Sequence, residues 1–126
     1  MTIPKEIRGQ NYISLTTFRK NGQAVNTPVW FAENDEKLYV KTPNDSGKYK
    51  RIRNNPQVKI TACTMLGKIT GPEFAATARV LPVEQWPEAQ KALNRKYWLA
   101  RLPFWSKNNV FVEIEVASWP RAAADK

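Results

Sequence analysis

The sequence predicts a mainly β protein, a six-stranded Greek-key barrel with two or three short flanking helices. Three observations predict it. Turn signals recur at intervals too short for long helices but suited to strands. Apolar and polar residues alternate, as where Val110, Val112, Ile114 and Val116 interleave with Phe111, Glu113 and Glu115. Short strands left as an open sheet would also expose unpaired edges, which a closed barrel removes.

Tyr12 to Arg19 (YISLTTFR) is dense in β-branched and aromatic residues and reads as the first strand. Asn21-Gly22 supplies the positive φ angles of a tight hairpin, and Ala24 to Glu33 runs back as the second strand. Asn34-Asp35-Glu36-Lys37 makes the next turn, after which Leu38, Val40 and Thr42 alternate with Tyr39 and Lys41 in a third strand. Gly47 to Asn55 is basic, has Ile52 as its main apolar residue and ends before Pro56, which predicts a short helix starting near Ser46. Gln57 to Leu66 and Lys68 to Leu81 flank Gly67 as two further strands, the second bent at Gly71-Pro72. Trp86, Ala89, Leu93, Tyr97 and Ala100 recur at helical spacing and predict an amphipathic helix from Pro87 to Arg101. Val110 to Val116 closes the barrel with one side buried, leaving Glu113 and Glu115 on an outward, solvated face.

At 126 residues the chain has a common single-domain size, so one domain over residues 1–126 is expected. Hydrophobic residues at 42% and aromatics at 11% supply enough apolar surface for a core and argue against disorder. No run approaches the roughly 18 apolar residues of a membrane span. Met1 to Gln10 lacks the apolar centre of a secretory signal, so a cytoplasmic location without membrane contact is expected. Cys63 is the only cysteine, which leaves no internal disulfide and reads as an ordinary strand residue. The chain has no histidine, which excludes Ser/His and Cys/His catalytic pairs, His-ligated zinc and a haem held by a proximal His. Twenty Lys and Arg against eleven Asp and Glu give a net charge of +9, suited to phosphate-bearing small molecules, nucleic acid or anionic membrane.

Among the basic residues one segment stands out. Thr42-Pro43-Asn44-Asp45-Ser46-Gly47-Lys48 joins the third strand to the basic helix, and its hydroxyl and glycine residues let backbone N–H groups approach an anion closely. The N–H groups of a first helical turn carry partial positive charge, to which Ser46, Lys48 and Arg51 add a hydroxyl, an ammonium and a forked guanidinium. The same residues also read as a solvated basic helix capped by Ser46 or Asp45. Thr27-Pro28-Val29-Trp30-Phe31 lies on the strand that should neighbour this corner. Pro28 cannot donate a ladder hydrogen bond, so that strand belongs at an edge or a bulge, where backbone and ring can meet a flat ligand. Alternatively Val29 and Phe31 are core residues and Trp30 a packing aromatic.

YISLTTFRKNGQAVNTPVWFAENDEKLYVKT, followed by SGKYKRIRNNPQVKITA, resembles the FMN-binding split-barrel superfamily, in particular its pyridoxamine-phosphate-oxidase-like branch of flavin- and deazaflavin-dependent oxidoreductases. The match runs from Tyr12 to Leu81 as a succession of signals in the right order, and is looser beyond. The resemblance implies a six-stranded split barrel, a homodimer, and cofactor sites at the subunit interface, where FMN or coenzyme F420 serves the oxidation or reduction of a small-molecule substrate. It makes Ser46 and Lys48 phosphate contacts, Thr42 and Arg51 supporting ones, and Thr27, Pro28, Val29 and Trp30 the strand beside the ring system. Two other classes stay open. One is a split barrel that holds a cofactor without turnover; the other is a nucleic-acid-binding protein using Lys48 to Arg53 with Tyr97, Trp98 and Trp105. Trp86, Trp98, Phe104, Trp105 and Trp119 either anchor a partner subunit or pack on their own barrel.

Overall fold

The computed structural model describes residues 3–96 and 109–116. Its strands are β1 (Tyr12–Phe18), β2 (Ala24–Trp30), β3 (Ala32–Asn34), β4 (Lys37–Pro43), β5 (Gln57–Cys63), β6 (Ile69–Val80) and β7 (Asn109–Val116). Helix α1 (Gly47–Asn54) connects β4 to β5, and α2 (Trp86–Lys96) follows β6. Every pairing is antiparallel, in the order β2-β1-β5-β6-β7-β4-β3.

That order forces the sheet to close. Laid flat, the edge strands β2 and β3 would stand close to 30 Å apart at the usual strand spacing of ~4.8 Å. Trp30 ends β2 and Ala32 begins β3, so the same two edges are joined through Phe31 alone, a reach of at most about 7 Å. The sheet therefore curls into a barrel whose seam is this one chain segment. Among the described residues seven strands stand where six were expected, because the run Ala24 to Glu33 breaks at Phe31. Phe31 and Ala32 are both buried, so strict alternation fails there and the chain passes from pairing with β1 to pairing with β4.

Inward residues of nearly every strand, among them Ile13, Leu15, Val29, Leu38, Val40, Ile60, Phe74, Val112 and Ile114, fill the barrel. Ile52 of α1 joins the same cluster. A second apolar layer lies outside the sheet, where Ala89, Ala92 and Leu93 of α2 cover Tyr39 and Phe111. Trp86 packs here too, its indole N–H donating to the Leu81 carbonyl at 3.0 Å and its ring 5.7 Å from that of Phe111. Lys96 secures the other end of α2. Its ammonium donates to the Gln10 carbonyl, pairs with Glu33 at 3.5 Å and lies 3.8 Å from the centroid of Phe31. The expected continuation of this helix over 97–101, and Trp98, Phe104, Trp105 and Trp119, lie outside the described residues.

The α2 layer overturns one expectation. Glu113 is buried, not solvated, because β7 is covered on both faces. It stands opposite Tyr39 on β4 and Arg79 on β6. The Tyr39 hydroxyl donates to Glu113 Oε2 at 3.1 Å and Arg79 Nε to Oε1 at 3.0 Å, so the buried carboxylate is satisfied. Glu115, two residues on, is half-buried. The first hairpin is looser than Asn21-Gly22 implied: only Gly22 takes a positive φ, +89°, while the Asn21 side chain accepts the Gln23 N–H at 2.9 Å. Cys63 ends β5 as a buried thiol whose pKa burial pushes up. Gly71-Pro72 stays inside β6, where the register with β5 slips between Thr61 and Cys63.

Candidate functional site

The site grows out of the end of β4. Alternation along that strand turns Thr42 inward, where it is buried, and leaves Lys41 and Pro43 on the other side. The Thr42 hydroxyl lies 3.1 Å from that of Ser46. Ser46 itself is extended (φ −73°, ψ 154°), and its Oγ accepts the Tyr49 N–H at 3.2 Å, the arrangement of a helix N-cap. Its hydroxyl thus ties the strand end to the start of α1.

The first turn of α1 runs against the helix dipole, although Arg51 and Arg53 in its last turn agree with it. Helices favour carboxylates in their first turn, where partial positive charge collects, yet α1 has none there and carries Lys48 instead. Burial, followed by the charge of Arg51, pulls the Lys48 pKa down. Arg51 folds back over the same turn. A Cβ on Gly47 would meet its Nη1 at 2.6 Å, so glycine is what lets the guanidinium lie there. Its Nε donates to Thr17 Oγ1 at 2.6 Å, which fixes the fork, and burial and Arg19 both lower its pKa. None of Arg19, Lys48 and Arg51 forms an ion pair among the described residues. Cations held near one another at the positive end of a helix make a local potential that an anion relieves.

A cavity of about 330 Å³ opens beside this corner. One wall is β2, through Pro28, Val29 and Trp30, with Tyr12 of β1 next to them. Tyr12 is the register partner of Trp30, and their rings lie 6.3 Å apart at a tilt of 59°. The floor is Lys41, Thr42 and Pro43, the basic rim is Lys48, and Leu93 of α2 closes the far side. Pro28 stands on an edge strand, one of the two settings its missing N–H allows.

Of the residues singled out from the sequence, the fold brings Pro28, Val29, Trp30, Thr42 and Lys48 to one cavity. Ser46 sits behind Thr42 as the helix cap, and Arg51 lies over Gly47 toward Thr17. Thr27, opposite Leu15 in mid-strand, does not line the cavity. Val29 and Phe31 are core residues, as the packing reading of that strand expects, and Val29 also lines the cavity. Sequence reasoning missed Tyr12, Lys41 and Leu93, and gave Pro43 of the Thr42–Lys48 segment no role of its own. The hairpin register would have found Tyr12 through Trp30, whereas Lys41 and Leu93 meet only because α2 docks on the sheet.

A family model for pyridoxamine 5'-phosphate oxidase matches residues 2–120. The chain belongs to that family. Its curled antiparallel sheet is the family's split barrel, and solved structures of like shape agree. The haem storage protein HutZ of Vibrio cholerae superposes with a TM-score of 0.68 at 16% identity, over 86% of this chain and 83% of that one. A FAD-binding protein of Mesorhizobium loti gives 0.60 at 20% identity, over 84% and 81%. A conserved hypothetical protein of Mycobacterium tuberculosis gives 0.65 at 16% identity, over 93% and 86%. At such identities these likenesses speak to the fold. No curated protein matches the chain.

For a member of the pyridoxamine 5'-phosphate oxidase family, the cavity has a definite chemical character. Neither a carboxylate nor a thiol lines it among the described residues. Its walls are flat aromatic and apolar groups, and its charge is cationic. Among the described residues, the groups of that lining able to carry a proton are Tyr12, Lys41 and Lys48. The Gly47 cradle, the first-turn N–H groups, Lys48 and the Thr42–Ser46 hydroxyls suit a phosphate, and the Trp30 and Pro28 wall suits a ring.

Proposed function

We propose that this chain holds a phosphate-bearing tricyclic coenzyme, FMN or F420, in the cavity and acts as an oxidoreductase on a small-molecule substrate. The observation that carries the reading is the meeting of two unlike features: a cationic first turn built around Gly47 and Lys48, and an aromatic-walled cavity beside it. When bound, the coenzyme supplies the hydride or electron chemistry. The chain's residues then have three tasks. Lys48, Arg51 and the first-turn N–H groups bind the phosphate; Pro28, Val29 and Trp30 orient the ring; and Tyr12 and Leu93 exclude water from its flanks.

We also propose a cytoplasmic homodimer. Leu66 is 90% exposed and Met65 and Ile69 stand out beside it at the β5–β6 turn, while a methyl at Gly67 would lie only 3.8 Å from the Pro28 ring. An exposed apolar tip beside Pro28 is what a second copy would cover.

Purifying the protein without added coenzyme, recording its visible spectrum and identifying the released ligand by mass spectrometry tests the reading. Flavin or deazaflavin absorbance, with turnover by a reduced nicotinamide or reduced deazaflavin, is the expected result. The haem storage role named for HutZ favours a second reading, a carrier without turnover. Bound coenzyme that no reductant turns over would select it. A haem held by histidine is closed to this chain, which has none.

A further inference from the structure

Three neighbouring strands and the helix beside them carry no carboxylate. β2, β1 and β5 lie side by side in the sheet, and neither they nor α1 contain an Asp or Glu, whereas Glu33, Glu88 and Glu113 belong to β3, α2 and β7. Asp45, just before the cap of α1, is the nearest acid in the chain, and none follows from Ser46 to Pro72. Within α1, Lys50, Arg53 and Asn54 stand three and four residues apart, which sets them on one face, and all three are exposed. Lys48 lines the cavity and Arg51 reaches Thr17, so this outward face is separate from the proposed phosphate corner. A hollow of about 350 Å³ lies at Lys50, Arg53 and Asn54. The Arg53 guanidinium is 5.6 Å from the centroid of the Tyr49 ring, which braces it while the residue stays exposed. Neither Lys50 nor Arg53 forms an ion pair among the described residues. Burial and then the charge of Arg19 lower the Arg51 pKa, so the cation of the first hairpin adds to the potential of the same helix.

We propose that the outward face of α1, formed by Lys50, Arg53 and Asn54, binds single-stranded nucleic acid. The ammonium and the guanidinium take phosphates of the strand. A guanidinium plane braced on a tyrosine stacks an unpaired base, and the Asn54 amide offers a donor and an acceptor to a base edge. An anionic bilayer suits the face less well, because no large apolar side chain is exposed on α1 to enter the lipid. An acidic peptide would use the charge and leave the guanidinium plane bare. The inference is independent of the coenzyme reading, which uses other residues of the same helix.

A fluorescein-labelled RNA strand of mixed sequence and about twelve nucleotides, a length one small domain covers, is titrated with the full chain and followed by anisotropy. The wild type is expected to bind it with an affinity that falls as salt rises. The double variant Lys50→Gln, Arg53→Gln should lower the slope of log affinity against log salt by about 1.4, at about 0.7 for each lost phosphate contact. The double variant Lys5→Gln, Lys91→Gln removes the same charge from exposed positions elsewhere and should keep the wild-type slope. Arg53→Lys should keep the slope but bind about fivefold more weakly, because an ammonium has no plane to stack. The inference is overturned if the wild type binds no RNA at low salt, if the two double variants lose slope equally, or if Arg53→Lys binds as well as the wild type. It is equally overturned if polyglutamate of like length binds as tightly as the strand, or if vesicles containing phosphatidylserine are bound and the strand is not. Displacement of the strand by FMN overturns it too, since the strand would then lie in the cavity. Protein that binds the strand but no FMN or F420 overturns the coenzyme reading alone.

Discussion

Tyr39 and Glu113 face each other across β4 and β7, beneath the α2 layer, where burial and their contact together shift the titration of the phenol. Burial, then the charge and hydrogen bond of Glu113, push the Tyr39 pKa up to about 12. The ordinary phenol value in an unfolded chain is near 10. A folded pKa above the unfolded one means that stability is fully present below about pH 10 and falls as pH rises through about 12. In a tyrosinate absorbance titration of the native protein we expect one late step near pH 12, absent from Tyr39→Phe; loss of the late step only from some other tyrosine variant would contradict the assignment. Gly47 makes a second residue-scale prediction. Its replacement by Ala places a Cβ where Arg51 Nη1 now lies, and the flexible guanidinium moves aside. Folding should hardly change, with the melting temperature within a few degrees, because only the tip of one side chain shifts. Affinity for FMN should fall by about tenfold with the loss of the fixed fork. Unaltered affinity in that variant would remove Arg51 from the site.

The helix α1 shows how one element serves two ends. Ser46 caps it and also borders the proposed phosphate corner, and two substitutions separate these roles. Ser46→Ala should cost about 1 kcal/mol of stability through the lost cap. Ser46→Asp keeps a capping oxygen and a charge the dipole favours, so its denaturation midpoint should match the wild type while FMN binding is lost to repulsion. A Ser46→Asp protein that binds FMN normally would mean that no phosphate sits there. Several elements were legible from sequence because their signals are local. The start of α1 follows from Ser46 and its end from Pro56, and Pro28 marks an edge strand whatever surrounds it. The break at Phe31 was not legible, because it depends on which strand each half pairs with, and pairing is a long-range property. Glu113 escaped for the same reason: alternation alone makes it outward, and only the register with Tyr39 and Arg79, under the cover of α2, makes outward mean buried. Lys41 and Leu93 entered the cavity through a helix docking that no periodicity encodes.

At the scale of the whole molecule, closure of the sheet through Phe31 puts the edge strand β2 beside the end of β4 and the start of α1. The β2 wall and the basic corner at Lys48, separate in sequence, line one cavity through that closure. Met65, Leu66 and Ile69 are exposed around the β5–β6 turn, and the dimer proposal is tested there. Sedimentation should give a dimer for the wild type and a monomer for Leu66→Asp, with weaker FMN binding in the monomer; a Leu66→Asp dimer would place the interface elsewhere. The central claim is that the corner around Gly47 and Lys48 grips a phosphate while the β2 wall holds the ring. Titrating the apo protein with FMN and with riboflavin measures it most directly, alongside F420 and its phosphate-free chromophore. For the coenzyme that binds, the phosphorylated form should be favoured by about a hundredfold, and Lys48→Ala should erase most of that margin. Equal affinity for the phosphorylated and phosphate-free forms in the wild type, or a margin that survives Lys48→Ala, would contradict it.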